Sequence, residues 1–358
     1  MCTVAQSIIR AINIVSFPVI TTIILTYHRP KLLARAINSV LSQTYPHIRI
    51  CIYDNGNDKE TFDVVTALMK KNKRIIYHRH DSNIGGAANI DYGMRRVDTE
   101  YFSFLSDDDV LLPTFYENSI YAFSLHSDAM FISSRVIAMT EMGSVVGRRP
   151  DYFPAGYYAP PKGIECLARY GPPTWTGILF RTDVINKLGL VDLDMGLISD
   201  YDYELKVAAS YPYVVIDSPG AIFLVHDNST SGRTVPILES PDGRLEMLRR
   251  IQHDYNLPEH VSKLSCQMIK RRHYKALLRY IFRCSRLGDF HEIDRAANIL
   301  KHVHDKGLEA CVYKIFLRLR FTIKLIYVCK RLFSKKSPIN SDVQCTYGKY
   351  SKYLEFDN

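Results

Sequence analysis

Three consecutive carboxylates, Asp107, Asp108 and Asp109, close the apolar run Tyr101-Phe102-Ser103-Phe104-Leu105 and stand directly before Val110-Leu111-Leu112-Pro113. Like charges crowded at the end of a strand repel one another unless a cation or hydrogen-bond donors compensate, so the triplet is a candidate for a hard divalent ion with oxygen ligands. Mn2+ or Mg2+ at such a place would bridge to a diphosphate and stabilise charge on a leaving phosphate. A solvated acidic turn with an Asp cap before Pro113 is the plainer account, and the triplet alone does not separate the two. Other candidates need their context. Asp54-Asn55-Gly56 has the composition of a type I turn. Ser199-Asp200-Tyr201-Asp202-Tyr203-Glu204 opens a helix-like run, whose dipole favours acids in the first turn. His226 ends an apolar strand-like segment just before a Ser/Thr/Gly-rich loop that holds Arg233.

The elements that must position these residues alternate. Strand patterns at 19–26, Ile48 to Tyr53, Arg74 to His78 and Tyr101 to Leu105 are separated by helix patterns from about Pro30 to Gln43, Lys59 to Lys71 and Ala87 to Val97. Such alternation predicts a parallel sheet with helices on both faces, with ligands gathering at the carboxyl ends of the strands. From 115 to 230 the pattern is mixed, with strands expected at Ala129 to Ser134 and Val214 to Ile216 around a proline-rich middle. Beyond a Ser/Thr/Gly/Pro-rich connector from Asn228 to Gly243 almost everything reads as helix.

Charge divides the chain the same way. The 358 residues carry a net +9, but residues 1–240 hold 22 basic and 25 acidic side chains, whereas residues 241–358 hold 24 and 12. The basic excess therefore belongs to the tail. Six of its cations, Lys314, Arg318, Arg320, Lys324, Arg331 and Lys335, fall on one arc of a helix opposite Val312, Ile315, Phe316, Leu319, Ile323, Ile326 and Tyr327. That pattern suits an anionic membrane surface, or a helix packed on the rest of the chain with its basic face in solvent. No zinc-finger, helix-turn-helix or RNP-like pattern accompanies it, so nucleic acid is not expected as a partner. Eight scattered cysteines suit reduced thiols better than a disulfide framework. The apolar stretch from Ala11 to Leu25 follows Arg10 as in a leader, but its β-rich end runs into a turn and is read as the first core strand. No apolar run is long enough for an ordinary transmembrane helix.

Read in order, Thr22-Ile23-Ile24-Leu25-Thr26-Tyr27-His28-Arg29-Pro30, Ser39-Val40-Leu41-Ser42-Gln43-Thr44-Tyr45-Pro46, Ile52-Tyr53-Asp54-Asn55-Gly56, Asn83-Ile84-Gly85-Gly86 and Ser106-Asp107-Asp108-Asp109 resemble the ordered motifs of glycosyltransferase family 2, the inverting GT-A enzymes. The resemblance implies an α/β GT-A fold, Rossmann-like and mostly parallel, with a basic helical C-terminal extension. It implies a catalytic domain over 1–232; the helical basic region over 233–358 lies beyond the resemblance, and its basic helix either associates with a membrane or packs on the catalytic domain with a solvated basic face. It also implies that Thr26, Tyr27 and Arg29 border a nucleotide, that Asp54 hydrogen-bonds the base, and that Asn83 and the glycines after it form the adjoining loop. Ser106 stands where the family usually has the first Asp of its D-x-D motif. Asp108 is then the metal ligand and Asp107 a ribose or metal contact. His226 resembles the family's His-x-x-Ser histidine and would complete the shell of Mn2+ in preference to Mg2+. Arg233 would pair with the diphosphate as its loop closes. Asp200, or Asp202 in the next register, resembles the family's base, which takes the acceptor hydroxyl's proton. The sole tryptophan, Trp175, is either a sugar-stacking platform or core.

The function expected is transfer of a sugar from a nucleoside diphosphate, UDP or dTDP preferred, to a hydroxyl of a glycan or lipid-linked acceptor, in the cytoplasm at the inner face of the plasma membrane. A sugar nucleotidyltransferase is the enzymatic alternative, but Thr26-Tyr27-His28-Arg29-Pro30 lacks the Gly-rich basic loop it would need. A basic membrane- or nucleic-acid-binding module is the non-enzymatic alternative.

Overall fold

A computed structural model describes residues 17–149, 152–226, 237–306 and 346–355. Four parallel strands, β1 (Ile20–Thr26), β2 (Ile48–Asp54), β3 (Ile75–Arg79) and β4 (Tyr101–Ser106), alternate with α1 (Pro30–Leu41), α2 (Lys59–Lys71) and α3 (Gly86–Met94), close to the expected bounds. Next come β5 (Val110–Leu111), α4 (Phe115–Leu125), β6 (Phe131–Thr140), β7 (Val145–Arg149), β8 (Gly156–Tyr158), α5 (Lys162–Tyr170), β9 (Ile178–Arg181), α6 (Asp183–Leu188), α7 (Ser199–Ser210) and β10 (Tyr213–Val225). The strands form one sheet in the order β3-β2-β1-β4-β9-β6-β10-β5, with β7 paired to β6 and β8 to β10.

Helix α1 shows how the sequence builds this. Pro30 starts it with a preset φ, and Leu33, Ala36, Ile37 and Val40 recur at helical spacing and are buried against the sheet. Burial stabilises each of the three larger side chains by about 1.5–3 kcal/mol. Helices α1, α2 and α4 cover one face of the sheet and α3, α5, α6 and α7 the other. Three further helices, α8 (Pro241–His253), α9 (Glu259–Leu287) and α10 (Phe290–His304), form the C-terminal extension. The extension is not a separate appendage: Met247, Leu248, Ile251, Val261, Cys266 and Ile269 share the core of α5 and α7. The basic stretch 309–336 lies outside the described residues. No helix among the described residues is long and apolar enough to cross a membrane.

Register explains why the polar segments meet. Thr26 is opposite Asp54, and Leu25 is opposite Ser106, so the ends of β1, β2 and β4 open on one edge. Strand β10 runs antiparallel to β5, with Ile222 opposite Val110. Residues just past Ile222 are thereby carried back alongside those just before Val110, which brings His226 to Asp108.

Candidate active site

The edge formed by β1, β2 and β4 is a cleft of about 600 Å3 lined by Thr26, Tyr27, Arg29, Asn83 and Asp107 among the expected residues, with His28, Asn55, Gly85, Gly86 and Asn89 beside them. The Thr26 hydroxyl donates to Asp107 Oδ2 at 2.8 Å and the Tyr27 N–H to the same oxygen at 3.3 Å. His28 makes this turn with φ 54°, in the left-handed region. Arg29 reaches Asp107 Oδ1 at 3.1 Å and Asp108 Oδ2 at 2.9 Å with one guanidinium nitrogen. His226 Nε2 lies 3.0 Å from Asp108 Oδ2. Burial, and then the charge of Asp108, push the Asp107 carboxyl up to about 6 against the opposing pull of Arg29, Thr26 and Tyr27.

Asp108 and His226 thus meet across the sheet. They fit a cation that takes one or two protein ligands and completes its shell with phosphate and water. They do not form an all-protein cage: among the described residues no three His, Cys, Asp or Glu side chains are grouped to hold an ion. Asp109, the third of the triplet, has structural work instead. It accepts from Leu224 N–H at 3.0 Å and from the Thr176 hydroxyl, tying β10 to the segment around Trp175. Behind the triplet, the buried Arg35 donates to the Asp108 carbonyl at 3.0 Å and to the Leu354 carbonyl at 3.2 Å.

Asp54 has no exposed surface. Its oxygens accept from Gly56 N–H at 2.8 Å and the Tyr77 hydroxyl at 2.6 Å. The neighbouring surface of the cleft belongs to Asn55, which donates to Asn83 Oδ1 at 2.7 Å and accepts from Ile84 N–H at 2.8 Å. Asn83 Oδ1 also accepts from Gly85 N–H at 2.8 Å. This pair shapes the loop ahead of α3, where Gly85 adopts φ 86°. A side chain on Gly86 would meet nothing within 4 Å, so its bareness leaves the first N–H groups of α3 open to a ligand. Sequence reasoning assigned Asn55 to a turn and gave it no further part. Its place beside Gly56 was the signal available.

The second acidic group is not part of this cleft. Asp200 is half-buried in the first turn of α7 and accepts from Tyr201 N–H at 2.7 Å. Burial pushes its carboxyl up, opposed by that N–H and by the charge of Arg244. Asp202, the alternative base, sits in different surroundings. It is buried, with Arg250 donating to one oxygen at 2.8 Å and the Tyr255 hydroxyl to the other at 3.2 Å, and it fastens α7 to the extension. Two residues along a helix is more than half a turn, so Asp202 faces away from the side that Asp200 occupies. Trp175 packs on Phe104, Phe180 and Tyr203, with ring centroids 4.9, 5.3 and 6.0 Å away. These contacts seat its half-buried indole against the core. Arg233 lies outside the described residues.

Residues 21–179 match the family model described as glycosyl transferase family 2. The chain is 27% identical over 131 residues to an uncharacterized glycosyltransferase of Methanocaldococcus jannaschii, covering 36% of this chain and 45% of that protein. It is 28% identical over 182 residues to one of Nostoc sp., covering 48% and 54%. The chain spans only 17% of the length of a Rickettsia felis relative to which it is 32% identical over 103 residues. Among solved structures, S. aureus TarS 1-349 in complex with UDP-GlcNAc superposes with a TM-score of 0.65 at 14% identity, covering 89% of this chain and 93% of that one. The mannosyltransferase PcManGT of Pyrobaculum calidifontis, in complex with GDP-Man and Mn2+, superposes with a TM-score of 0.55 at 13% identity, covering 94% and 85%. At such identities the likeness establishes the fold.

Proposed function

We propose, from the premise that this chain carries a glycosyltransferase family 2 domain on a GT-A fold, that it transfers a sugar with inversion from a nucleoside diphosphate to an acceptor hydroxyl. The observation that carries this reading is the meeting of Asp107, Asp108, Arg29 and His226 at the edge of a cleft whose far side is the N-terminus of α3. The donor's diphosphate lies along Thr26, Tyr27 and Arg29 and its nucleoside against Asn55 and Asn83. Asp54 braces the floor through Tyr77, and a hydrogen bond from the base to Asp54 requires that hydroxyl to turn aside. Asp108 and His226 would hold a Mn2+ or Mg2+ ion, which would supply positive charge against the departing diphosphate. Arg29 then exchanges Asp108 for a phosphate oxygen, a bidentate partner its guanidinium favours.

Asp200 is the base. As the acceptor oxygen attacks the anomeric carbon, its proton passes to the Asp200 carboxylate and the sugar–phosphate bond breaks with its electron pair remaining on the diphosphate. Burial of the carboxyl makes it a stronger proton acceptor than an exposed aspartate. Residues 1–232 form the catalytic unit in this reading and 233–358 the extension, whose stretch 309–336 seats the enzyme on the anionic inner face of the membrane beside a lipid-linked acceptor.

Thermal shift with UDP, dTDP, GDP and CDP in the presence of Mn2+ tests the donor: one nucleotide alone is expected to raise Tm, and no shift with any of the four removes the reading. Flotation with vesicles containing anionic lipid tests the membrane role; a chain truncated after Asp305 that still floats would exclude it.

A further inference from the structure

One carboxyl is left over. Glu204 lies one turn after Asp200 on α7 and is completely buried, and neither of its oxygens has a hydrogen-bond partner among the described residues. A buried polar group with no partner costs free energy and calls for an explanation. Helical side chains lean towards the helix N-terminus, and positions i and i+4 share a face, so Glu204 extends along the turn that carries Asp200. One neighbour offers something to an anion: the indole N–H of Trp175 faces it outside ordinary hydrogen-bond geometry and favours its charge, while Tyr201 and Tyr213 adjoin it. The cations nearby sit with Asp200 and Tyr201 instead. Arg244 of α8 faces both, and Arg272 of α9 donates to the Tyr201 hydroxyl at 3.3 Å.

The two carboxyls therefore differ in kind. Asp200 has the helix N-terminus, a backbone N–H and Arg244 to favour its charge, whereas Glu204 has an aromatic wall and the indole N–H of Trp175. Two carboxylates on adjacent turns in such surroundings do not both ionise. We propose that Asp200 and Glu204 act as one carboxyl pair bearing a single negative charge, in which Glu204 retains the proton and is the positioning residue for the base. Burial, and then the charge of Asp200, push Glu204 well above the ordinary glutamate range, which agrees with this division. Once Glu204 ionises, its charge must leave the pocket of Trp175, and the first turn of α7 that holds Asp200 moves with it. The pair then sets the alkaline limit of transfer, a part of the proposal that rests on the transfer reading above.

Trp175 is the only tryptophan in the chain, so its emission reports on Glu204 with no sugar nucleotide present. In the full-length protein a transition in Trp175 emission is expected above the ordinary glutamate range, and Glu204→Gln is expected to abolish it. Asp200→Asn is expected to move its midpoint to lower pH by about one unit or more, the size of coupling that defines a pair. A transition that persists in Glu204→Gln, or one that Asp200→Asn does not move, overturns the pair. The second variant keeps Glu204 in place, so the test stands even if the first folds poorly. In a transfer assay Glu204→Gln is expected to lose the alkaline limb of the kcat/KM profile while the acid limb remains, and a retained alkaline limb overturns the positioning role. Failure of the pair and failure of the transfer reading are thus read in separate measurements.

Discussion

The two halves of the sheet handle acidic side chains in opposite ways. On the parallel half, Asp107 at the cleft and Asp108 beside it are largely buried but held by groups that can let go: a guanidinium, a hydroxyl, an imidazole. On α7 the acids are fixed in place: Asp202 is locked to Arg250, Glu204 is buried beside Trp175, and the half-buried Asp200 accepts from a backbone N–H. A carboxylate that must bind a cation and phosphate needs partners it can exchange. One that must take a proton needs to be hard to ionise. The same residue type serves both halves because its surroundings differ.

The largest effect should come from the cleft. Asp108→Asn is expected to lower transfer by about 10²–10³-fold, the cost of losing one strong electrostatic contact to the leaving group, while Tm changes little. Retained activity would place the ion or the reaction elsewhere. Asp202→Ala should do the reverse and reduce stability by about 3 kcal/mol in urea unfolding, the low end for breaking a buried ion pair, because Arg250 keeps Asp192 and Glu246. A stable variant with lost activity would return Asp202 to the chemistry and break the contrast.

A third test lies in the extension. His273 Nε2 lies 2.9 Å from the Ile237 carbonyl, which can only accept, so Nε2 carries the proton and Nδ1 accepts from His304 Nε2 at 2.9 Å. Burial, then the charge of a neighbouring cation, lower His273 to about 3 and His304 to about 4. The unfolded chain takes up these protons near pH 6.5 and the folded one does not. Stability is therefore full above that pH and falls towards pH 4, by at most about 1.4 kcal/mol per pH unit for each histidine. His304→Gln should flatten the slope in urea melts across this range, and an unaltered slope would rule the pair out as its source. The smallest effect is expected of Asn83→Ala. Losing the bonds to Asn55 and Gly85 should weaken nucleotide binding about tenfold in a calorimetric titration, about 1.4 kcal/mol.

What was legible in the sequence was whatever depends on local pattern. Strand–helix alternation and the placing of Thr26, Asp54 and Asp107 at strand ends follow from periodicity and turn chemistry, and the sheet reproduces them. The extension reads as helix, and α8 to α10 are helices. The partners of buried charges were not legible, because they come from distant segments. Asp202 pairs with Arg250, 48 residues on, and Asp109 with Leu224 N–H, 115 residues on. Asp200 and Asp202 look equivalent as letters, and only the packing of α8 against α7 separates them. Trp175 was balanced between sugar and core for the same reason. The rings that enclose it come from β4, β9 and α7.

Arg35 links the Asp108 carbonyl to that of Leu354, which follows Arg35 by 319 residues. Leu354 also closes an apolar patch of Val110, Leu112, Ile137, Met139, Ile222 and Leu224, directly beneath the carboxylate turn. On a ribosome adding 5–20 residues per second, roughly 15–60 s separate the synthesis of these two partners. The parallel half of the sheet can emerge and pair early, yet the backing of its carboxylate turn waits for a segment made 319 residues after Arg35. Until then the patch is covered only in part, by Leu32 and Val145, and Arg35 lacks one acceptor, so a nascent chain competent to form the cleft still has to be kept from aggregating.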